Sequence, residues 1–371
     1  MIVNKAYRYR IYPTREQKMM FAKTFGCVRF IYNKMLSDRI DYYKETGQKL
    51  NNTPAQYKEE FPWLKEVDSL ALANAQMNLN KAYSHFWNDS QHFGKPRFKS
   101  KKNRRASYST NNQKGSVRIE GHKVKLPKVG WVKLCQHRPL PENSIIKTVT
   151  ISKTPSGKYY ISMLVEYENQ ILPVIPKTFL GLDFVMHGLY VASDEEDAEY
   201  PDFLRTAEKR LAKAQRKLSN KQKGSHNREK QRLRVAILHE KVANQRRDFL
   251  HKKARYLADH YDVIGIEDIS VKAMAKRKKG GKFSFGKSVA DNGWNMFTNM
   301  LEYKLAWQGK KLIKIDKWYP SSQLCHVCGY QNHETKDLSV REWDCPKCGS
   351  HHNRDKNAAI NIREEARRIS A

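Results

Sequence analysis

The chain has 371 residues, of which 70 are lysine or arginine and 38 are aspartate or glutamate, which gives a formal net charge of +32. Such an excess of one sign opposes compaction unless a polyanion neutralises it, so nucleic acid is the leading partner class. A surface that is basic only for solubility, and an anionic membrane, are the alternatives. We find no apolar run of about 18 residues and no signal-peptide core, so we expect a cytoplasmic protein with reduced thiols.

The N-terminal segment alternates apolar and basic residues and predicts a strand that ends at Pro13. Thr14, followed three residues later by Gln17, is typical of a capping box at the start of a helix. Apolar residues then recur at helical spacing, most clearly over residues 67–87. Residues 14–90 are therefore predicted to form a helical block.

The character of the chain changes at residues 94–115, which are interpreted as a basic loop. Short alternating runs after this loop predict strands at Val117–Ile119, Val124–Leu126, Trp131–Leu134, Thr148–Ser152 and Tyr159–Tyr167. This series favours an antiparallel β-barrel or a curled sheet. A structural spacer is one interpretation, but the basic loops interleaved with aromatic residues favour a nucleic-acid surface.

A third block follows a proline-containing linker at residues 172–179. Its elements in order are FLGLDF, LYVAS, basic helices at about 203–219 and 227–260, VIGIEDI, a basic loop at 273–287, NGWNMFTNMLEYKLAWQG and KLIKID. This alternation of strands and helices predicts an α/β layered fold. The basic helices are typical of a solvated coiled-coil face, but their one-signed charge favours contact with nucleic acid.

Two Cys-x-x-Cys pairs near the C-terminus follow the spacing C-x2-C-x16-C-x2-C, formed by Cys325, Cys328, Cys345 and Cys348. Four thiolates at that spacing can close a tetrahedron around Zn²⁺, with Gly329 and Gly349 permitting tight turns. Because no ligand position stays open, we expect a structural zinc site, and the nearby histidines are not needed as ligands. Cys27 and Cys135 are isolated and are interpreted as small buried apolar residues.

Three acidic residues lie at the ends of predicted elements: Asp183 in GLDF, Glu267 in GIEDI and Asp355 in NRDKNAA. The first two follow apolar strands, at the carboxyl ends where open α/β sheets place their sites. A cap or loop role is the ordinary interpretation of each acid alone. If the three converge, they form a carboxylate cluster that suits Mg²⁺, and two such ions can support phosphodiester hydrolysis. The residues alone do not establish that convergence.

Segments along nearly the whole chain resemble the TnpB (OrfB) family of insertion-sequence proteins, kin to type V CRISPR effectors. In order, these segments are NKAYRYRIYPT, FGCVRFIYNKML, KPRFK, LPKVGWVKL, GLDF, KRLAKAQRKLS, VANQRRDFLHK, IGIEDI, DNGW, YPSSQLCHVCG, REWDCPKCG and RDKNAAINI. The resemblance implies an RNA-guided DNA endonuclease of an insertion sequence. It also implies a multidomain α+β protein with a RuvC-type, RNase H-like α/β nuclease domain, an inserted zinc ribbon and a β-barrel wedge domain.

The resemblance also implies roles for individual residues. The family's catalytic acids, which hold Mg²⁺, fall on Asp183, Glu267 and Asp355, and its structural zinc falls on the four cysteines. Many relatives have Gly where this chain has Val185, and Asp where it has Asn353. We expect these departures to affect the rate more than the reaction type, since Asn353 changes hydrogen bonding near the metal ligands.

The domain organisation implied by the family has six segments. They are the first wedge strand (1–13), a helical recognition lobe (14–92), the wedge β-barrel (93–176), the nuclease domain (177–318), the zinc ribbon (319–351) and the last nuclease motif and helix (352–371).

The implied partners are a guide RNA encoded at the right end of the transposon and a double-stranded target DNA. The resemblance implies that the protein binds them as a monomer and that it has no membrane partner. The protein would read a short transposon-adjacent motif and leave the remaining sequence to base pairing. Candidate motif readers are Ser69, Asn74, Gln76, Thr110 and Asn111. Amides can read adenine edges, although ordinary surface polarity explains each of these residues nearly as well.

Two other functions stay open at this stage. A nuclease-inactive, RNA-guided repressor should lack some of the acids, whereas this chain keeps all three. A DNA-binding transposition accessory without RNA needs only the basic surfaces. A transposase proper is less favoured, because no His-x-His with a downstream tyrosine nucleophile is evident.

Overall fold

A computed structural model describes residues 2–102, 105–185, 188–194, 197–269, 293–337 and 339–371. The chain forms two compact units, Met1–Gln170 and Ile171–Ala371. The basic loop predicted at 273–287, and the Asp291 and Asn292 of the DNGW motif, lie outside the described residues. Among the described helices, none is both long enough and apolar enough to cross a bilayer.

The first unit contains a seven-stranded antiparallel sheet with the order β2-β6-β7-β1-β5-β4-β3. Its strands are β1 (Ile2–Tyr12), β2 (Ala106–Asn111), β3 (Arg118–Glu120), β4 (Lys123–Leu126), β5 (Gly130–Cys135), β6 (Ile145–Lys153) and β7 (Tyr159–Glu168). The curled sheet predicted from the alternating runs is confirmed, and β1 lies inside it between β7 and β5. The loop predicted at 94–115 is wrong over its second half, because β2 pairs there with β6.

The helices of the first unit are α1 (Arg15–Thr46), α2 (Tyr57–Glu60) and α3 (Ser69–Asn88), with a 3-10 turn at Pro62–Glu66. The predicted capping box is confirmed: Thr14 Oγ1 accepts from the Gln17 N–H at 3.3 Å, and Gln17 Oε1 accepts from the Thr14 N–H at 3.1 Å. The helix that this box starts is continuous to Gly47, whose φ of +69° ends it in the left-handed conformation that glycine favours. The helical block is thus confirmed.

The second unit contains a four-stranded sheet with the order β11-β10-β8-β9. The strands are β8 (Phe179–Phe184), β9 (Tyr190–Ala192), β10 (Val263–Glu267) and β11 (Lys311–Ile315), and the helices are α4 (Phe203–Ser219), α5 (His226–His260), α6 (Trp294–Ala306) and α7 (Arg354–Ser370). Strands β8, β10 and β11 run parallel, and β9 is antiparallel to β8. The predicted α/β layers are confirmed. A hairpin of β12 (Glu342–Asp344) and β13 (His351–Asn353), with a 3-10 turn at His333–Lys336, precedes α7.

The two faces of this sheet pack differently. Leu180 and Leu182 of β8 belong to the core shared with α5 and α6. Because successive strand residues point to opposite faces, Gly181 faces the other side, where α7 lies. A Cβ on Gly181 would lie only 2.0 Å from the Ala359 carbonyl oxygen. On β10, a Cβ on Gly265 would lie 2.7 Å from Ala366 Cβ. Glycine on the strands therefore lets the backbone of α7 contact the sheet directly.

We predict that Gly181→Ala destabilises the second unit, because the added methyl meets the backbone of α7 rather than a side chain that can move. Overpacking of this kind costs about 1–3 kcal/mol or more. Gly26→Ala, within α1 and with nothing inside 4 Å of the added Cβ, is the matched control and should stabilise slightly. Thermal and denaturant unfolding measure both variants, and equal stability of Gly181→Ala and wild type would contradict the predicted contact.

Candidate active site and zinc site

The three predicted acids lie at one edge of the second unit's sheet. Leu182 of β8 pairs with Ile266 of β10, so Asp183 and Glu267 occupy the next positions along two adjacent parallel strands. Asp355 lies in the first turn of α7, the helix that contacts both strands through their glycines. The convergence that the sequence left open is therefore produced by the packing of α7 on the sheet.

The electrostatics of Asp183 show that the three carboxylates are close enough to interact. Burial raises the pKa of Asp183 well above its ordinary value, and the charges of Glu267 and Asp355 raise that pKa further. The guanidinium of Arg354 opposes this rise but does not cancel it. Like charges gathered in a half-buried place favour a bound cation or a proton.

Two of the acids have direct partners. The hydroxyl of Ser321 donates to the Glu267 carboxylate, and the Arg341 guanidinium lies 3.4 Å from a carboxylate oxygen of Asp355. Arg354 is only 8% exposed, and its Nε has no hydrogen-bond partner among the described residues. Asn353 caps α7 by accepting from the Lys356 N–H at 3.1 Å, a role that aspartate fills equally well.

The donor set of the three acids suits a hard cation such as Mg²⁺, which prefers carboxylate oxygens. In the part of the chain that the structure describes, however, only the four cysteines gather tightly enough to place every ligand atom around one ion. Among the described residues, the three carboxylates are therefore spread more widely than the thiolates, and Ser321 and Arg341 each bond one of them. The acids lie at one edge of the sheet and interact electrostatically, but their carboxylates do not form a complete set of ligands around one point.

The cysteine cluster fits tetrahedral zinc. The four Sγ atoms lie within 4.8 Å of one another, with Cys325 to Cys348 at 3.7 Å and Cys328 to Cys345 at 3.5 Å. A tetrahedron with Zn–S bonds of about 2.3 Å requires sulfur separations of about 3.8 Å. With all four positions filled by thiolates, such a site is structural.

The turns around the cysteines explain their geometry. Gly329 and Gly349 have φ angles of +72° and +71°, and their N–H groups donate to the carbonyls of Cys325 and Cys345. The Ser350 hydroxyl and N–H lower the pKa of Cys348 to about 6, which favours the ligating thiolate.

His352 is the buried neighbour of this site. Its Nε2 lies 3.1 Å from Cys325 Sγ, a position from which an N–H can donate to the thiolate. Its ring packs against Trp343, with ring centroids 4.7 Å apart.

The candidate motif readers do not share one exposed surface. Thr110 is fully buried and donates to Asp68, and Asn111 lies beside it in β2, so the predicted placement of both in a loop is wrong. Asn74 and Gln76 of α3 donate to backbone carbonyls of the same unit. Ser69 is exposed and lines a cavity of about 300 Å³ together with Lys58, Lys65 and Lys128.

Several residues at the site were not assigned a role from sequence. Ser321, Arg341 and Arg354 surround the acids, and Asn357 and Asn361 lie buried on α7. One sequence signal was available for the asparagines. Asparagine is a poor helix former, so two of them at i and i+4 inside an amphipathic helix indicate amides with fixed partners.

We predict that Cys348→Ser lowers bound zinc and the melting temperature of the second unit, since zinc binding free energy is folding free energy in such ribbons. Cys135→Ser is the matched control: the expectation that Cys135 is buried is wrong, since it is exposed like Cys348 but lies outside the cluster. Elemental analysis gives zinc per chain, and calorimetry gives the melting temperature. Unchanged zinc content after Cys348→Ser or after chelation would contradict a zinc site.

We predict that Asp183→Asn raises the melting temperature of the magnesium-free protein by a few degrees at neutral pH, because it removes a buried charge that Glu267 and Asp355 also repel. The sign follows from linkage. When the pKa of a carboxyl is higher in the folded protein than in the unfolded chain, the protein loses stability as the pH rises from the ordinary pKa of 3.8 to the raised pKa. The gain should vanish at acid pH. Asp268→Asn, a change at the adjacent exposed acid, is the control in the same calorimetric series.

Family models match three parts of the chain. A model described as "Probable transposase" matches residues 162–278, a "Helix-turn-helix domain" model of the same family matches residues 1–48, and a "Cas12f1-like, TNB domain" model matches residues 294–362. The last range holds the cysteine cluster and Asp355. In this structure, residues 2–46 form β1 and the single helix α1.

Relatives match over nearly the whole length. A protein of Streptomyces pristinaespiralis is 36% identical across 97% of this chain and 89% of its own, and InsQ of Escherichia coli K12 is 30% identical across 96% and 91%. Both bear the name "Putative RNA-guided DNA endonuclease". Among solved structures, the match to a Cas12f1–sgRNA–target DNA complex covers 97% of this chain and 98% of that chain, with a TM-score of 0.61 and 14% identity. At that identity, the structural match shows a shared fold alone. Identities sustained over nearly the full chain place the protein in the TnpB (OrfB) family.

Proposed function

We propose that the protein is an RNA-guided, Mg²⁺-dependent DNA endonuclease of an insertion sequence. The observation that carries this proposal is the arrangement of Asp183, Glu267 and Asp355 at one sheet edge, where burial and the charges of Glu267 and Asp355 raise the pKa of Asp183. The names of the two relatives support the same activity.

The nuclease domain is proposed to be of the RuvC type, with an RNase H-like sheet. The order β11-β10-β8-β9, with one antiparallel strand next to the strand that bears the first acid, supports this assignment. The zinc ribbon (319–351) would then interrupt the domain between its main part (177–318) and its last helix (352–371).

In this proposal, Asp183, Glu267 and Asp355 hold Mg²⁺. When bound, the metal supplies an activated water and stabilises the leaving oxygen of the phosphodiester. The protein orients its own ligands: Ser321 occupies one oxygen of Glu267, and Arg341 steers the Asp355 carboxylate. The buried charge of Arg354 partly offsets the repulsion among the acids.

The nucleic-acid partners are proposed to be a guide RNA from the transposon's right end and target DNA beside a transposon-adjacent motif. The net charge of +32 supports polyanionic partners. On the wedge barrel (1–13 and 93–176), the exposed Arg8 lies 4.0 Å from the centre of the half-buried Tyr160 ring. Planar cationic and aromatic groups of this kind suit single-stranded RNA.

The recognition lobe (14–92) is proposed to contact the motif-containing duplex. The cavity beside Ser69, with its three lysines, supports phosphate contact at this place. Of the candidate readers, Ser69 is thus the one that the structure exposes to a partner, whereas Thr110 positions the start of α3 through Asp68.

We predict that Asp183→Ala abolishes metal-dependent cleavage of target DNA while guide RNA binding stays near the wild-type level, because it removes a metal-holding carboxylate and none of the basic side chains proposed to contact RNA. The assay uses full-length protein with its guide, and Asp268→Ala is the control that removes a neighbouring exposed acid. Cleavage by Asp183→Ala at the wild-type rate would overturn the assignment of this residue.

Two outcomes would favour other functions. Target binding without cleavage by the wild-type chain would indicate an RNA-guided repressor, a function that the retention of all three acids argues against. Purified protein that carries DNA but no RNase-sensitive nucleic acid would indicate a DNA-binding transposition accessory. Sequencing of the copurified RNA separates these cases and identifies the guide.

A further inference from the structure

The segment Ser321–His326 lies between the catalytic acids and the cysteine cluster. It follows β11 and contains Cys325, the first cysteine of the cluster. We call it the ribbon root. At its start, the buried hydroxyl of Ser321 donates to the Glu267 carboxylate. The same few residues thus touch a catalytic carboxylate at one end and a zinc ligand at the other.

The ribbon root is fixed to α7 by buried amides. Asn361 Nδ2 donates to the Ser321 carbonyl at 2.8 Å and to the Leu324 carbonyl at 2.7 Å. One turn earlier, Asn357 Nδ2 donates to the Leu324 carbonyl at 2.7 Å, and its Oδ1 accepts from the His326 N–H at 3.1 Å. Asn357 and Asn361 are 1% and 6% exposed.

These contacts account for the chemistry of the two asparagines. A buried amide is unfavourable unless its polar atoms are satisfied; the ribbon root satisfies both the donor and the acceptor of Asn357 and the donor of Asn361. Asparagines at i and i+4 lie on one helix face, so the pair presents a polar ladder to the root. The ladder begins two residues after Asp355 on the same helix, so it also fixes the position of the ribbon root relative to this third acid.

We propose that Ser321, Asn357 and Asn361 are positioning residues that couple zinc occupancy at the ribbon to metal binding by the catalytic acids. The inference rests on the proposed function. Zinc fixes Cys325, the amide ladder fixes the root on α7, and Ser321 then holds Glu267 with one oxygen directed to its hydroxyl. A hydrogen-bonded partner behind a metal-ligating carboxylate typically changes metal affinity 10- to 100-fold, so about that effect is expected from its loss.

The coupling is tested with Mn²⁺ as the probe, titrated by calorimetry into zinc-loaded, full-length protein. Ser321→Ala should weaken Mn²⁺ binding about 10- to 100-fold, and Ser321→Thr, which keeps the hydroxyl, should restore much of it. Thr298→Val is the matched control, since it removes a buried hydroxyl that donates only to the Asn295 carbonyl. Asn361→Ala provides a second route to the same loss.

A double-mutant cycle then tests the link to zinc. Removal of zinc should weaken Mn²⁺ binding in the wild type but have little further effect in Ser321→Ala, because that variant already lacks the hydrogen bond from Ser321 to Glu267. By reciprocity, Mn²⁺ should tighten zinc binding by the same factor in the wild type.

The outcomes separate the inference from the proposed function. If the wild type binds no Mn²⁺ that Asp183→Ala abolishes, the proposed function and the inference fall together. If the wild type binds Mn²⁺ and Ser321→Ala binds it equally well, or if Thr298→Val weakens binding as much, only the inference is overturned. Independent effects of zinc removal and Ser321→Ala would likewise overturn the coupling.

Discussion

The direct contact of α7 with the backbone of β8 and β10 is the constraint on which the second unit depends. Gly181 and Gly265 leave no side chain between strand and helix, and the facing residues of α7 include small alanines. Because the helix backbone lies directly against the sheet, Asp355 in its first turn lies at the edge of the sheet where Asp183 and Glu267 are located, near the carboxyl ends of β8 and β10. Residues separated by more than 170 positions thereby share one electrostatic field.

The same helix is connected to two sets of candidate metal ligands: it carries Asp355, and its Asn357 bonds to His326 next to Cys325. Soft thiolates in a closed tetrahedral set select zinc, whereas carboxylates select hard cations such as magnesium. Asn357 and Asn361 lie on the polar face of α7 against the ribbon root, while Ala359 lies on the face toward the sheet. One helix thus contacts the sheet, the ribbon root and the edge where the three acids lie, so displacement of α7 would disturb all three.

Local sequence patterns predicted the local features well. The Thr14–Gln17 box, the paired cysteines and the order of strands and helices each depend on residues that are near in sequence. What the patterns missed depends on distant partners. Strand β2 is polar and was interpreted as a loop, because its stability comes from pairing with β6 and from the buried Thr110–Asp68 bond. The candidate motif readers failed as one surface for the same reason: side chains that look free in sequence bond within the fold.

The electrostatic repulsion among the three acids explains why the surrounding packing and hydrogen bonds are needed to keep them at one edge of the sheet. Burial raises the pKa of Asp183, and repulsion from the carboxylates of Glu267 and Asp355 at the same edge raises it further. The hydrophobic core on one face and the glycine contacts on the other offset it, so the fold keeps the acids together before any cation arrives. Ser321 and Arg341 then limit how far Glu267 and Asp355 can turn away from Asp183. The acids therefore share one edge with their charges only partly cancelled, a condition that a bound cation or a proton relieves.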